Sequence, residues 1–579
     1  MRNDKVKRFL ALTSIDEAMD CFAEEIIYIE DGCLKKKTEM EGFKCVDSPF
    51  RTTKEVLEHI QISAEAYENI LGELSIQLNK IHNIDLSQES WRVILHIWLP
   101  YYMEEMYSKY LHVKKASADY DNLYTNILAE DSFIHPYYGY GCWIWSLKRE
   151  DYNFQLYSHI AQFLQLEIKS KIGIQNIFSP QVKKRRQTKE KLFNIFGKRA
   201  NTIVVNPHNF DLTFLDLFKM IFRSKFRMGF FFPEGMACVP REYDETFRKD
   251  LRLEVKENDS EYVRLIKEYI FVDIPTMYLE GLKENIKVFE KYQCKSIISA
   301  EDYVYYPAAL LMGINRNNQG KLYTIPLGGD GNIWQGISEA CMDALISDVL
   351  YTTGWKDNSF KCELRRITNP RYWRAKRNVR CEEKKCDILY LASPLFAYRT
   401  LISNVNSIFS KEFMDDNISL VKALVHKKLK VRARLYMDTG WGLEERIKDL
   451  GNNVEIDDYS RSFTETVFES KLCVMDSFGT AWAEAVAMNI PFVIVVPKYM
   501  EFFTEAGWEL VHKFQKIGIY FNCYQEAAEN ISKIVNCIDS WWKDGERQKV
   551  ITQIGNEYAW CAEDVKGKWI EEFINISHL

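Results

Sequence analysis

The segment Asp476-Ser477-Phe478-Gly479-Thr480, followed by Ala481-Trp482-Ala483-Glu484, has the residue types to hold a phosphate. It follows an apolar run and opens a helical pattern. Backbone N–H groups at a helix start then stand beside the hydroxyls of Ser477 and Thr480. Glu484 lies one turn after Thr480 on the same face, where a carboxylate can accept from two ribose hydroxyls. A plain N-cap with an exposed glutamate explains the same spacing. A second turn, 437–442, sets Asp438 beyond a strand that carries Arg432 and Arg434. It can hold a base or a diphosphate, and ordinary turn chemistry accounts for it equally. The third turn, 326–332, contains Gly328, Gly329 and Gly331, which let backbone approach a ligand closely. It lacks the GxGxxG dinucleotide pattern. Transfer to an acceptor needs a group that takes a proton. Glu280, Glu301, Asp302 and Asp330 are the carboxylate candidates, with His135 and His208 as further options. Composition does not choose among them. Asp119-Tyr120-Asp121 has DxD spacing but follows no clear strand and reads as a loop. HExxH, Walker A and nucleophile-elbow patterns are absent from the sequence.

These turns need strands and helices to aim them. Between 387 and 522, short apolar runs alternate with helical patterns, the strands being read at 387–393, 430–437, 453–457, 471–477, 491–497 and 519–522. That alternation predicts a parallel sheet covered on both faces, in a doubly wound α/β domain whose ligands sit beyond the carboxyl ends of the strands. The preceding part is less regular. Strands are read at 9–14, 25–32, 202–206, 228–232, 295–299, 321–327 and 348–351, with long helices over 53–82 and 89–113. We read a second α/β domain over 1–375 with a helical insertion at 50–200, and a nucleotide-binding domain over 386–579. The boundary is the charge-rich stretch 368–385.

Bulk properties narrow the class. The chain has 579 residues, 47% hydrophobic and 27% charged, with a net charge of −6, which argues against a dedicated nucleic-acid binder. The longest apolar stretch, 214–232, is broken by Lys219, Arg223, Lys225 and Arg227, so no membrane span is expected. The charged start with its short apolar run does not fit a signal peptide, and a cytoplasmic protein is expected, with contact at the inner membrane face as an option. Fourteen scattered cysteines without a CxxC pair point to reduced thiols rather than a metal site. Basic runs at 183–191 and 371–380 read either as solvated loops or as contacts to an anionic substrate or membrane surface.

Further landmarks run through the chain in order. Phe9-Leu10-Ala11-Leu12-Thr13-Ser14, Ser90-Trp91-Arg92-Val93-Ile94-Leu95, Tyr278-Leu279-Glu280-Gly281, Gly354-Trp355, Asp438 with Gly440-Trp441, Thr480 with Glu484, and Trp541-Trp542 are among them. Together they resemble a family of bacterial transferases found with O-antigen and other surface-polysaccharide biosynthesis. The resemblance implies a GT-B-like fold, two Rossmann-type doubly wound domains facing across a cleft. It also implies transfer of a sugar from a nucleotide-activated donor, a CMP-linked acidic sugar being one candidate, to a glycan, lipid-linked glycan or glycoprotein. No cofactor is implied; the nucleotide sugar enters as substrate. On this reading Ser477, Thr480, Glu484, Asp438, Arg434, Gly328 and Gly329 face the donor, and Thr13 and Arg92 lie on the acceptor side. The family turn QHGG reads Pro326-Leu327-Gly328-Gly329 here, so its histidine is missing, and Asp330 is the candidate substitute beside Glu280 and Asp302. Two rivals follow: a CDP-polyol phosphotransferase of similar fold, and a non-catalytic paralogue that acts as a binding subunit in glycan assembly.

Overall fold

A computed structural model describes residues 6–34, 43–135, 149–174, 188–233, 241–292, 294–300, 306–326, 328–329, 331–335, 339–393, 398, 409–436 and 442–579. Its strands form three separate sheets. The first holds β1 (Arg8–Ala11), β2 (Glu25–Tyr28), β3 (Lys44–Cys45), β4 (Leu123–Leu128) and β5 (Glu167–Ile172), in the order β3-β2-β1-β4-β5. The middle sheet holds β6 (Thr202–Val205), β7 (Met228–Phe231), β8 (Ser296–Ser299), β9 (Lys321–Thr324), β10 (Val349–Thr352) and β11 (Glu363–Arg366), in the order β11-β10-β9-β8-β6-β7. The C-terminal sheet holds β12 (Cys386–Leu391), β13 (Val431–Arg434), β14 (Val454–Ile456), β15 (Ser470–Met475), β16 (Phe492–Val495) and β17 (Tyr520–Phe521), in the order β14-β13-β12-β15-β16-β17. Every strand pair in the three sheets is parallel. The fold is α/β with Rossmann-like sheets, and the central strands are fully buried apolar runs, as helices on both faces require.

The sequence predicts one sheet before residue 375, and the structure has two. The stretch 50–200 is not a purely helical insertion, because β4 and β5 lie inside it. β4 (LYTNIL) is wholly buried and gives no alternation to read. β5 (EIKSKI) is an edge strand with charged, exposed positions, a pattern that guards an open edge. β3 is only two residues long.

The boundary stretch is a fixed strut. Its helix Pro370–Arg377 is capped by Asn369, whose side chain accepts from Arg371 N–H at 2.8 Å, and it buries Tyr372 and Ala375. The last helix, Val565–His578, returns to the middle sheet. It buries Val565, Trp569, Phe573 and Ile576 at helical spacing against Phe210 and Tyr351. Each such side chain contributes roughly 1.5–3 kcal/mol, and Trp569 Nε1 also donates to the Thr368 carbonyl at 2.9 Å. The middle and C-terminal sheets are thereby tied at two places. Among the described residues no helix is long and apolar enough to cross a membrane.

Candidate functional site

In doubly wound sheets a crevice opens where the strand order reverses. In the C-terminal sheet this is between β12 and β15, where Ser393 meets Asp476 and Ser477. Asp476 is 2% exposed. It accepts from Ser393 N–H at 2.9 Å, Ser393 Oγ at 2.5 Å and Asn417 Nδ2 at 3.1 Å. Burial nevertheless raises its carboxyl to about 6. Ser393 Oγ also meets Ser477 Oγ at 2.6 Å, so the two strand ends share one hydroxyl and carboxylate floor. Phe478 anchors the turn from below, packed among Trp334, Trp482, Phe503 and Phe514.

Above this floor begins the helix Thr480–Met488. Its N-cap is Gly479, in extended conformation, and no side chain caps it. The first N–H groups of the helix therefore face the crevice with the positive end of the helix dipole, next to the Ser477 and Thr480 hydroxyls. A turn of the middle sheet roofs them. A Cβ on Gly329 would lie 2.9 Å from Thr480 Cα and 3.1 Å from Ala483 Cβ, so only glycine fits against this helix. Trp482 Nε1 donates to the Gly329 carbonyl at 2.8 Å, and Tyr372 OH to the Gly328 carbonyl at 3.3 Å. Gly328 and Gly329 thus bring the carboxyl ends of two sheets together. Beside them lies a narrow crevice lined by Pro326, Thr353, Trp355 and Tyr558.

The strut helix fixes both sides of this seam. Arg371 Nε donates to Glu484 at 2.7 Å, and Arg374 pairs with Asp211 at 3.3 Å, in the turn after β6. Glu484 is buried by this contact rather than exposed on a helix surface.

The middle sheet reverses between β6 and β8. After β6 the chain turns through Asn206 (φ 42°) and Asp211 (φ 57°), and Asn209 Nδ2 reaches across to the Ala300 carbonyl at 3.2 Å. His208 is exposed in this turn. Its Nδ1 lies 2.9 Å from the Leu212 carbonyl, which can only accept, so in the neutral ring Nδ1 carries the proton and Nε2 the lone pair. That is the tautomer a general base needs.

The other candidates sit elsewhere. Arg434 donates to Asp457 at 2.9 Å and to the Arg461 carbonyl at 3.0 Å, and stacks over Tyr459 beyond β13. Glu280 is clamped by buried Arg248 through two hydrogen bonds of 2.5 and 2.6 Å. Arg92 is a buried fork on Glu68, at 2.7 and 2.8 Å, and joins two helices. Thr13 Oγ1 donates to Glu150 at 2.8 Å, at the reversal of the first sheet. Asp330, Asp302 and Asp438, with Glu301 and Leu327, fall outside the described residues. Asp119 ends a helix and pairs with Lys115 at 2.5 Å. Among the described residues no group of three or more His, Cys, Asp or Glu could hold a metal ion. Sequence reading names Asp476 in the phosphate turn and Arg371 in a basic run but gives neither the positioning role it has here, because their partners Ser393, Asn417 and Glu484 are distant in sequence.

Solved structures match the chain at low identity and low TM-score. TarM is 15% identical over 51% of this chain and 58% of its own, with a TM-score of 0.33, so the chain matches little more than half of TarM's length. MurG of Acinetobacter baumannii is 10% identical over 65% of this chain and 99% of its own, with a TM-score of 0.33. The wall teichoic acid polymerase TagF is 13% identical over 67% and 92%, with a TM-score of 0.32. No curated protein matches the chain. The model of the LIC12162 family transferases matches residues 8–573, nearly the whole length, and the protein belongs to that family.

Proposed function

We propose that this transferase moves a sugar from a nucleotide-activated donor to a surface glycan or glycoconjugate, a CMP-linked acidic sugar being one candidate donor. The supporting observation is the uncapped start of the Thr480–Met488 helix, set at the order reversal of one sheet and roofed by Gly328-Gly329 of the next. The N–H groups of this first turn, with the Ser477 and Thr480 hydroxyls, hold the donor phosphates. They also stabilise the charge that grows on the leaving phosphate. His208 Nε2 takes the proton of the acceptor hydroxyl. The acceptor oxygen then bonds to the anomeric carbon as the bond from that carbon to the phosphate oxygen breaks. Asp330, next to the Gly328-Gly329 turn in sequence, is the rival base. Glu484 accepts from the ribose or, through its ion pair, positions Arg371.

The test is calorimetric titration of the purified protein with CMP, CDP, UDP, GDP and dTDP. One base should bind in preference. Ser477→Ala and Thr480→Val should each weaken it roughly ten- to a hundredfold, the effect of one lost hydrogen bond to a charged group. A folded protein that binds none of the five contradicts the proposal.

A further inference from the structure

The outer side of the middle sheet carries a surface of unusual composition. The helix Phe214–Arg223 buries Leu217, Met220 and Ile221 against the sheet. It turns Leu215 (63% exposed), Phe218 (41%) and Phe222 (64%) outward, and Phe226 (62%) follows in the next turn. The neighbouring helix Thr188–Gly197 packs on it through Phe193, whose ring lies 5.5 Å from Phe214 and 5.0 Å from Phe218. This helix exposes Ile195 (60%) in line with exposed Lys191 and, just beyond its end, Arg199. Large apolar side chains scattered singly are ordinary on a protein surface. Five gathered on two adjacent helices are not.

The charges that follow them along the helix Phe214–Arg223 and its next turn are basic. Lys219, Arg223, Lys225 and Arg227 are all exposed, and among the described residues none pairs with a carboxylate; Arg227 meets His578 instead. The one acidic residue of the helix, Asp216, is turned away to Lys566 at 2.5 Å. This cluster stands on a chain whose net charge is −6. The backbone adds an independent sign. Lys225 (φ 54°) and Phe226 (φ 62°) are consecutive left-handed residues, where a bulky aromatic is strained. The turn is closed by Phe226 N–H on the Ile221 carbonyl at 2.8 Å and by Met228 N–H on Ser224 Oγ at 3.2 Å. It holds Phe226 outward, edge-on to Phe222 at 5.3 Å.

We propose that this face seats on an anionic lipid surface. Leu215, Phe218, Phe222, Phe226 and Ile195 enter the headgroup–acyl boundary, while Lys219, Arg223, Lys225 and Arg227 meet lipid phosphates. A second copy of the same patch would bring like charges together. An acidic protein would match the charges without needing the projecting aromatics. A lipid surface uses both features, and the inference does not depend on the donor or acceptor of the transfer reaction.

The experiment is cosedimentation of the full chain with vesicles of phosphatidylcholine alone and of phosphatidylcholine with one third phosphatidylglycerol. The chain should bind the anionic vesicles at least about tenfold more tightly, and added salt should weaken this. F222S/F226S and K219E/R223E should each reduce anionic binding about tenfold or more. Their melting temperatures should stay at the wild-type value, since all four side chains are exposed. No binding of the wild-type chain to anionic vesicles overturns the proposal, as does equal binding by the folded variants. A dimer seen by light scattering and lost in the variants, without vesicle binding, also overturns it and assigns the face to a second copy.

Discussion

The first and C-terminal sheets have the same kind of crevice and fill it differently. At the reversal of the first sheet, between β1 and β4, Glu150 occupies the space. Its carboxylate accepts from Thr13 Oγ1 at 2.8 Å, Ser14 N–H at 2.5 Å and the Tyr398 hydroxyl, the last from the segment after β12. The protein thus supplies its own anion at the start of the Glu150–Phe163 helix, and burial beside carboxylates drives the Tyr398 hydroxyl well above its usual range. At the reversal of the C-terminal sheet, the carboxylate of Asp476 lies below the turn and points at Ser393, while the helix start above it carries no side-chain cap. One crevice is closed by an internal latch that joins two parts of the chain. The other leaves donors for a ligand's charge. Similar strand order therefore does not assign identical roles; what differs is whether a carboxylate of the chain fills the crevice, as Glu150 does in the first sheet.

This contrast predicts that changes of the exposed groups proposed to meet ligand alter turnover and spare stability, and that changes of the buried carboxylates beneath the crevices alter stability. The largest effect is expected at His208. His208→Ala should lower kcat by roughly 10²–10⁴ while nucleotide affinity by calorimetry and melting temperature hold. A loss below about tenfold would move the base to another residue, Asp330 first. Next is Glu150→Ala, which leaves the Thr13 and Tyr398 hydroxyls and Ser14 N–H without their acceptor. It should cost about 3 kcal/mol by urea unfolding, with nucleotide affinity unchanged. A matching fall in affinity would join the two crevices into one site.

Asp476 gives an effect of similar size that depends on pH. Its carboxyl sits at about 6 when folded against an ordinary 3.8, so the folded state holds the proton more tightly. Its stabilising share is complete below about pH 4 and is lost as pH rises through about 6. Holding a proton to a pH about two units higher corresponds to about 3 kcal/mol, and wild type should lose that much relative to Asp476→Asn across the window. Parallel stability profiles of the two proteins would show that Asp476 is ionised without penalty.

The C-terminal sheet was legible because its central strands are largely apolar and each is followed at short range by its helix. The turn 476–480 announced itself by the same local chemistry. The middle-sheet strands at 202–206, 228–232, 295–299, 321–327 and 348–351 were likewise visible. Of the first sheet only the strands at 9–14 and 25–32 were visible; β3, β4 and β5 were not, since β4 and β5 are separated from them by long helices and the edge strands are short or charged. The candidate site was legible only as separate turns. Glu484 reads as a ribose ligand in sequence, yet its partner Arg371 lies 113 residues earlier in the chain. Gly329 reads as a ligand-facing glycine, yet its lack of a side chain is required by Thr480, in another sheet's helix. Arg92, Glu280 and Arg434 read as available charges because sequence cannot show that Glu68, Arg248 and Asp457 already hold them.

The central claim is that the uncapped helix start at Gly479 is the phosphate site. The most direct test puts a carboxylate of the chain at that helix start. Gly479 has an ordinary extended backbone, and a Cβ on it would meet only Ser477 Oγ, at 3.8 Å, so Gly479→Asp can be accommodated. An aspartate at the N-cap accepts from the first-turn N–H groups and stabilises the helix by a few tenths of a kcal/mol relative to glycine. Calorimetric titration of this variant with the nucleotide that wild type prefers should show at least about a tenfold loss of affinity, with a melting temperature at or slightly above wild type. Wild-type affinity in a folded Gly479→Asp protein would contradict the account and place the phosphates elsewhere.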